Sequence, residues 1–306
     1  MNGVSMHLVN RLIVSILQLL PQRLVRPFAM RYIAGENLED AVRIIRNINS
    51  QNMMATVDVL GENISTREES LLAVKACEEV LHSIQENHLP AYLSIKLTQF
   101  GLKVDEEFCY ANVRGLLTIA RSYKNFVRID MEDSSTTDAT LKLHGRLRFD
   151  GFENVGVVIQ AYLRRSEEDI KPLMEKKANV RLVKGIYVEP EAIALKDREE
   201  IRGNYLELLK KLLEAKCYVG IATHDDFLVQ GAYRYIQEMN LGKSDYEFQM
   251  LYGVRVKLRD QIVASGHRMR IYVPFGRQWY SYSMRRFKEN PQIARYVLQA
   301  LLSRNS

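Results

Sequence analysis

The sequence predicts a (β/α)8 barrel of the TIM type that is preceded by a helical extension. Eight short apolar segments alternate strictly with eight helical segments from residue 53 onward, which is typical of parallel sheets with buried strands. Eight is also the number of strands that closes into this barrel. A doubly wound open sheet is the alternative. It requires a glycine-rich phosphate loop after the first strand, whereas LGENIS (60–65) contains one glycine.

Each strand is predicted from a run of apolar and β-branched residues that ends at a polar residue or a glycine. The first run, for example, ends at Gly61. The eight predicted strands are MMATVDVL (53–60), AYLSIKL (91–97), FVRIDME (126–132), NVGVVIQAYL (154–163), VRLVKGIY (180–187), YVGIATH (218–224), YEFQMLYG (246–253) and RMRIYVP (268–274).

The helices between these strands are predicted from capping residues and from charge patterns. The first opens at Ser65 or Thr66 with two acidic residues in its first turn, as helix starts favour. The second begins with acidic residues and ends near Arg121, an arrangement that the helix dipole stabilises. The predicted helices cover residues 65–88, 104–124, 135–148, a short stretch from 166, 201–216, 226–239, 256–265 and 279–302.

Length and composition agree with one barrel plus an extension. The chain has 306 residues, whereas a barrel of this type needs about 250. Hydrophobic residues make up 47% of the chain and charged residues 26%, which is typical of a globular protein with a substantial core. We therefore expect a helical extension at residues 1–50 and a barrel domain at residues 51–306.

Charge and cysteine usage narrow the functional classes. The net charge is +6, but the basic residues are dispersed among acidic ones, and no nucleic-acid-binding signature is present. The three cysteines are far apart, so no disulfide framework is expected and a reducing, cytoplasmic location fits best. The six histidines lack the spacing of metal ligands, so no metal site is predicted.

The N-terminal segment has an amphipathic character of its own. Residues 8–21 are apolar but are interrupted by Arg11, and they are fewer than the roughly 20 residues that a membrane helix needs. No cleavage site follows, so a signal peptide is not expected. Basic residues continue to Arg31 before the first acidic residue, Glu36. Such a helix can lie on an anionic membrane surface or pack on the barrel, and the sequence favours neither.

An active site is expected at the carboxyl ends of the strands, because barrel enzymes carry it there. The segment RLVKGIY (181–187) offers fixed positive charge, which suits an anionic or electron-rich ligand. Adjacent arginines near the C-terminus suit a carboxylate, and tyrosines offer flat walls for a small ring. The polar residues collected at this rim are Asp58, Glu62, Lys96, Asp130, Glu132, Asp133, Gln160, Arg181, Lys184, Thr223, His224, Gln249 and Tyr272, with Tyr282, Arg285, Arg286 and Glu289 on the last helix.

Each candidate also has a structural interpretation. Asp130 could cap the next helix, the glutamines could be satisfied core amides, and the tyrosines could be packing aromatics. Lys96 could be a surface lysine, and the adjacent arginines could form a solvated helix face. Lys184 could instead form a Schiff base, as in barrel aldolases, although its neighbours favour a phosphate or flavin contact.

Eight motifs, taken in order, make the chain resemble the proline dehydrogenases, the flavin-dependent barrel enzymes of proline catabolism. They cover residues 50–290 approximately, and each lies at a predicted strand end or on the last helix. The motifs are DVLGE (58–62), SIKL (94–97), RIDME (128–132), VIQAY (158–162), RLVKGIY (181–187), IATHD (221–225), EFQMLYG (247–253) and YVPFG with YSYSMRRFKEN (272–290).

The resemblance implies a non-covalently bound FAD at the rim and L-proline beside it. Flavin contacts are then expected from Gln160, Arg181, Val183, Lys184, Gly185, Thr223, His224 and Gln249, with Glu289 also on the cofactor side. The substrate carboxylate is expected to be held by Lys96, Arg285 and Arg286, with Glu62 pairing with the first arginine as a gate. The proline ring is expected to be lined by Asp130, Leu182, Tyr187, Leu251, Tyr272 and Tyr282.

The resemblance also implies a reaction and its partners. A hydride passes from proline to the flavin N5, which gives Δ1-pyrroline-5-carboxylate, and the electrons then go to a membrane quinone. A separate pyrroline-5-carboxylate dehydrogenase is expected to consume the product, since the resemblance is to the short, single-activity form. Residues 1–35 offer a peripheral contact with the inner face of the cell membrane.

Two departures and two alternatives accompany this interpretation. Val188 stands where large bifunctional members carry an aromatic residue, and the spacing between Tyr272 and Tyr282 is slightly shorter than theirs. One alternative is another barrel flavoprotein, such as a methylenetetrahydrofolate reductase, which leaves the paired arginines without a role. The other is a non-catalytic barrel that binds a membrane or a partner through its N-terminal helix.

Overall fold

The computed structural model describes residues 22–61 and 64–289, the last five of them as backbone only. In the described chain, eight parallel strands close into a barrel in sequence order. The barrel closes between the last strand and the first, in a register that runs from Met54 opposite Arg270 to Val59 opposite Phe275. The predicted (β/α)8 class is therefore confirmed.

The strands begin within one residue of their predicted starts, but most end earlier than predicted. The strands are β1 Met54–Val59, β2 Ala91–Ile95, β3 Val127–Ile129, β4 Val155–Gln160, β5 Asn179–Val183, β6 Tyr218–Ala222, β7 Tyr246–Leu251 and β8 Met269–Phe275. The predicted end of β5 at Tyr187 is wrong. Gly185 has a φ of +110°, a conformation that favours glycine and turns the chain out of the strand.

The described helices follow the predicted alternation. They are α1 Gln22–Ala29, α2 Leu38–Ser50, α3 Arg67–Glu86, α4 Glu106–Ser122, α5 Ser134–Phe149, α6 Ser166–Glu175, α7 Arg198–Glu214, α8 Asp226–Glu238, α9 Val256–Ala264 and α10 Trp279–Glu289. Thr66 is the N-cap of α3 and forms a capping box with Glu69. A short 3₁₀ helix, Leu97–Phe100, replaces the predicted end of β2. The predicted continuation of α10 to residue 302 lies outside the described residues.

The described part of the N-terminal extension packs on the barrel. Val25, Phe28 and Ile33 form a buried cluster with Trp279 and other residues of α10, and α2 contributes to the main core. The predicted division at residues 50 and 51 stays a prediction, and residues 1–21 lie outside the described chain. No helix among the described residues is both long and apolar enough to cross a membrane.

The inside of the barrel is polar rather than filled with branched apolar side chains. Arg128 and Glu247 are fully buried there. Glycines on neighbouring strands make the necessary space, because a Cβ at Gly156 would lie 2.4 Å from Arg128 Nη1, and a Cβ at Gly220 would lie 2.4 Å from Gln249 Nε2. The barrel therefore carries charged side chains along its axis up to the carboxyl ends of its strands, here called the mouth.

Candidate active site

A first ion pair lies at the mouth between β1 and β2. Lys96 Nζ donates a hydrogen bond to Asp58 Oδ1 at 2.6 Å. The side chains of Lys96 and Asp58 are 13% and 1% exposed, so the ammonium reaches the mouth while the carboxylate lies beneath it. Lys96 is therefore at the predicted rim, and its interpretation as a surface lysine is excluded.

Burial and charge act against each other at this pair. Burial alone would lower the pKa of Lys96, but Asp58 and then Asp130 raise it above its ordinary value. Asp58 Oδ2 is buried and accepts no hydrogen bond from a described residue. The Tyr272 hydroxyl lies close enough to lower the pKa of Asp58, but it donates to Asp130 instead. Of the residues that the structure describes, Asp58 is the direct partner of Lys96, and it favours the charged ammonium.

A second ion pair lies across the mouth, between β3 and β5. Arg181 Nη1 donates to Asp130 Oδ1 at 2.6 Å. The same carboxylate accepts hydrogen bonds from Ser94 Oγ at 2.8 Å and from the Tyr272 hydroxyl at 2.7 Å. Asp133, not Asp130, caps α5, which excludes the capping interpretation of Asp130. Arg181, Asp130 and Tyr272 are thus brought together as one network.

The orientation of Gln249 extends this network down the barrel axis. Its Nε2 donates to Glu247 Oε1 at 2.7 Å and to the Tyr92 hydroxyl at 3.2 Å. Its Oε1 therefore accepts from Arg181 Nε, at 2.6 Å. Glu247 is itself paired with Arg270, whose Nε donates to its Oε1 at 2.6 Å. Because the Gln249 amide nitrogen donates to Glu247 and Tyr92, its oxygen faces the Arg181 guanidinium and helps to orient it.

Sequence reasoning collected Asp58 at the rim but missed the supporting residues Tyr92, Glu247 and Arg270 as members of the site. A signal for two of them existed, because strand residues two apart share a face. Glu247 precedes Gln249 by two positions on β7, and Arg270 precedes Tyr272 by two on β8. Asp58 was noted at the end of the first strand, but its pairing depends on the register of β1 against β2.

His224 is an uncharged donor at the β6 side of the mouth. Its Nε2 accepts a hydrogen bond from the Leu251 backbone N–H at 2.9 Å, so the neutral ring carries its proton on Nδ1. Burial, followed by Lys184 and Arg255, lowers the pKa of His224 to about 4. The imidazole is therefore neutral at physiological pH.

Lys184 stands beside a strongly acidic carboxylate. Its Nζ lies 3.2 Å from Asp225 Oδ2, and Arg202 binds both oxygens of the same group, at 3.0 and 2.7 Å. Burial raises the pKa of Asp225, but hydrogen bonds from Arg202 and Lys184 bring it down to about 2. This pairing fits the charged ammonium, not the neutral amine that a Schiff base requires.

The remaining cofactor-side candidates line the rim from β4 to β7. Gln160 Nε2 donates to the Glu132 carbonyl at 2.9 Å. The Thr223 hydroxyl accepts from the Asp225 backbone N–H at 3.2 Å. The backbone carbonyls of Val183 and Lys184 accept hydrogen bonds from the backbone N–H groups of Ala161 and Tyr162, in the loop after β4, at 2.8 and 2.7 Å. These bonds fix the turn that precedes Gly185.

The ring-lining candidates are less uniformly placed. Tyr187 and Leu251 are half-buried, and Tyr187 is near enough to Lys96 to raise its pKa. Tyr282 is buried against the N-terminal cluster. Leu182 is fully buried in the main core, on the face of β5 opposite Arg181. The structure therefore does not bring Leu182 to the mouth.

Four predicted site residues cannot be assigned positions for their side chains. Glu62 lies outside the described residues, and Arg285, Arg286 and Glu289 are described as backbone only. Their roles stay predictions. The described helix α10 begins directly after the end of β8, and so it leaves the barrel at the mouth.

Comparisons with known proteins give a consistent family assignment. A family model described as proline dehydrogenase matches residues 41–299. Proline dehydrogenase 1 of Bacillus subtilis (strain 168) is 38% identical over 276 residues, which covers 90% of this chain and 91% of that protein. Proline dehydrogenase of Deinococcus radiodurans is 36% identical over 281 residues and 90% of both chains.

A solved structure gives the same fold. The structure of proline utilization A (PutA) from Bdellovibrio bacteriovorus, inactivated by N-propargylglycine, superposes with a TM-score of 0.81 at 27% identity. The match covers 87% of this chain and 33% of that one. The present chain thus spans about a third of the length of PutA.

Proposed function

This chain belongs to the proline dehydrogenase family, and from that premise we propose that it is an FAD-dependent enzyme that oxidises L-proline to Δ1-pyrroline-5-carboxylate. The observation that carries the proposal is the mouth itself, where Lys96 and Arg181 each stand in a buried ion pair. Two fixed cations beside an uncharged histidine suit a small carboxylate next to an electron-rich ring.

The substrate side of the mouth is proposed to hold the proline carboxylate. The ammonium of Lys96 has three donors, and within the described part of the chain it gives one of them to Asp58; we assign the others to a ligand. Arg285 and Arg286 complete the clamp in this proposal, with Glu62 as its gate. Tyr187, Leu251, Tyr272, Tyr282 and Asp130 line the ring. Fixing the carboxylate orients the ring carbon next to nitrogen, which lowers the entropic part of the barrier.

The residues from β4 to β7 fit FAD in the chemistry of their donors. The diphosphate needs positive charge and the flavin carbonyls need hydrogen-bond donors. Lys184 and Arg181 supply charge, while Gln160, Gln249, Thr223 and His224 Nδ1 supply neutral polar groups; Val183 and Gly185 offer backbone. When bound at these residues, FAD would supply the hydride acceptor for proline oxidation. Arg181, held by Asp130 at 2.6 Å, would stabilise negative charge that develops on the flavin ring.

The partners follow from the chemistry of the reaction. We propose that the electrons pass to a membrane quinone, with residues 1–35 as the contact to the inner face of the cell membrane. A separate pyrroline-5-carboxylate dehydrogenase would consume the product. A deletion of residues 1–21 tests the contact, because residues 22–35 pack on the barrel and on α10. We expect lower vesicle binding and quinone-linked turnover with unchanged dye-linked turnover.

The proposed activity is tested by the oxidation of L-proline with an artificial dye as the electron acceptor. We expect dye reduction together with a cyclic imine product that o-aminobenzaldehyde traps. Lys96→Met should raise KM strongly, whereas Lys171→Met, which removes an exposed lysine paired with Glu168 on α6, should not. Oxidation of methylenetetrahydrofolate without oxidation of proline, or a purified protein that takes up no flavin, would contradict the proposal.

A further inference from the structure

We propose that Asp58 is a positioning residue that holds the Lys96 ammonium in place and in its charged form for the substrate carboxylate. The inference rests on the proposed function, because it assigns Asp58 a role through Lys96. Its basis is geometric. Asp58 Oδ1 accepts from Lys96 Nζ at 2.6 Å, and the carboxylate lies at the end of β1, directly below the mouth.

Asp58 cannot contact a ligand at the mouth. Its side chain is 1% exposed, whereas that of Lys96 is 13% exposed. In the barrel register, Asp58 stands opposite Ser94, and Lys96 is the next residue on the same face of the chain. The carboxylate is therefore behind the ammonium relative to the mouth, and any effect of Asp58 on a ligand passes through Lys96.

No other described carboxylate can take the place of Asp58. Asp130 faces Lys96, but its oxygens already accept from Arg181, Ser94 and Tyr272. Glu132 Oε1 accepts a hydrogen bond from the Thr98 hydroxyl at 2.6 Å. The other described titratable groups that face the Lys96–Asp58 pair are Cys77 on α3, Asp130 and Glu132 after β3, Tyr187 after β5 and Tyr272 on β8.

Removal of Asp58 should therefore let burial dominate at Lys96. Burial is the largest influence on Lys96 and favours the neutral amine, and Asp58 is the largest opposing one. In Asp58→Asn, we expect the pKa of Lys96 to fall below its ordinary value of about 10.4. A neutral amine does not attract a carboxylate, so ligand affinity should become dependent on pH.

The experiment measures the inhibition constant of cyclopentane carboxylate on the FAD-loaded enzyme between about pH 6 and pH 10, a range over which the ordinary carboxyl group is ionised. This ring carboxylate has no amine, so its own charge does not change in that range. We expect a constant that is flat with pH in the wild type. In Asp58→Asn it should rise by about tenfold per pH unit above the new Lys96 pKa.

Lys96→Met and the double variant Asp58→Asn/Lys96→Met isolate the pair. Both should bind the inhibitor weakly and without the new inflection, because the titrating group is gone. The control is Asp169→Asn on α6. It breaks an ion pair in which Arg165 Nε lies 2.9 Å from Asp169 Oδ2, and this pair is remote from the mouth. It should lower stability without changing the pH profile.

A second variant covers the case in which Asp58→Asn does not fold. Asp58→Glu keeps the charge but lengthens the side chain, so it should displace the ammonium and weaken inhibitor binding without a new inflection. Wild-type affinity in Asp58→Glu, or a flat profile in folded Asp58→Asn, would overturn the inference. A wild type that takes up no flavin or does not oxidise proline would instead overturn the proposed function.

Discussion

The two ion pairs at the mouth differ in how firmly each is held. Asp130 accepts from Arg181, Ser94 and Tyr272, and the guanidinium is also bound to Gln249. Asp58 has Lys96 as its direct partner, and its second oxygen accepts no hydrogen bond from a described residue. Among the described residues, Arg181 is therefore held by several partners, whereas Lys96 donates to Asp58 alone.

The largest effect is expected from Arg181→Met. It leaves Asp130 and Gln249 buried without their cation, and removing one partner of a buried pair costs about 3–5 kcal/mol. Chemical denaturation should show that loss, together with much lower flavin retention and turnover. Arg165→Met is the matched control, since its pair with Asp169 is 36% exposed on the arginine side. It should cost at most about 1 kcal/mol, and equal losses would contradict the comparison.

Lys96→Met should affect substrate affinity more than turnover. We expect KM for proline to rise by about 10- to 100-fold, because a charge-assisted hydrogen bond is lost. Steady-state kinetics with a dye acceptor measures both constants. A lower kcat with an unchanged KM would contradict the placement of Lys96 on the substrate carboxylate.

The same variant makes a prediction about pH and stability. Burial raises the pKa of Asp58, and Lys96 opposes that rise, so Asp58 without Lys96 should bind a proton more readily in the folded state. The stabilisation that Asp58 contributes is then present below its pKa of about 3.9 in the unfolded state, and it is lost as the pH rises through its pKa in the folded state. The stability gap between the wild type and Lys96→Met should widen as the pH is raised toward neutrality, and a gap that narrows would contradict this.

Gly185→Ala tests the turn that links β5 to the mouth. Gly185 has a φ of +110°, and a Cβ there would lie 2.0 Å from the Tyr162 ring. We expect a loss of about 1–3 kcal/mol and weaker flavin retention, measured by equilibrium dialysis. Gly203→Ala in α7 is the control, because its Cβ would meet nothing within 4 Å. It should stabilise by about 0.5–1 kcal/mol, and a Gly185→Ala protein that matches it would refute the role of the turn.

Tyr272→Phe should have the smallest effect of the series. It removes a single hydrogen bond to Asp130 Oδ2, and the Arg181 and Ser94 contacts to the other oxygen remain. We expect a loss of about 1–2 kcal/mol in stability and a modest loss of turnover, measured by thermal denaturation and dye-linked kinetics. A loss as large as that of Arg181→Met would show that Asp130 is not held redundantly.

The sequence predicted the order of the strands and the polar residues at their ends, because alternation and strand periodicity are local properties. It could not predict which residues pair across strands, since this depends on register. The bond from Lys96 to Asp58 is one case, and the chain from Arg270 through Glu247 to Gln249 is another. Leu182 shows the reverse error, because a family resemblance transferred a role that the alternation of β5 argues against.

The most direct test of the account is the visible absorption spectrum of the FAD-loaded protein under anaerobic conditions, as L-proline is added. We expect that the flavin band bleaches in the wild type and that Lys96→Met needs a much higher proline concentration for the same bleaching. A wild-type band that dithionite bleaches but proline leaves unchanged would contradict the claim that this mouth presents proline to an oxidised flavin.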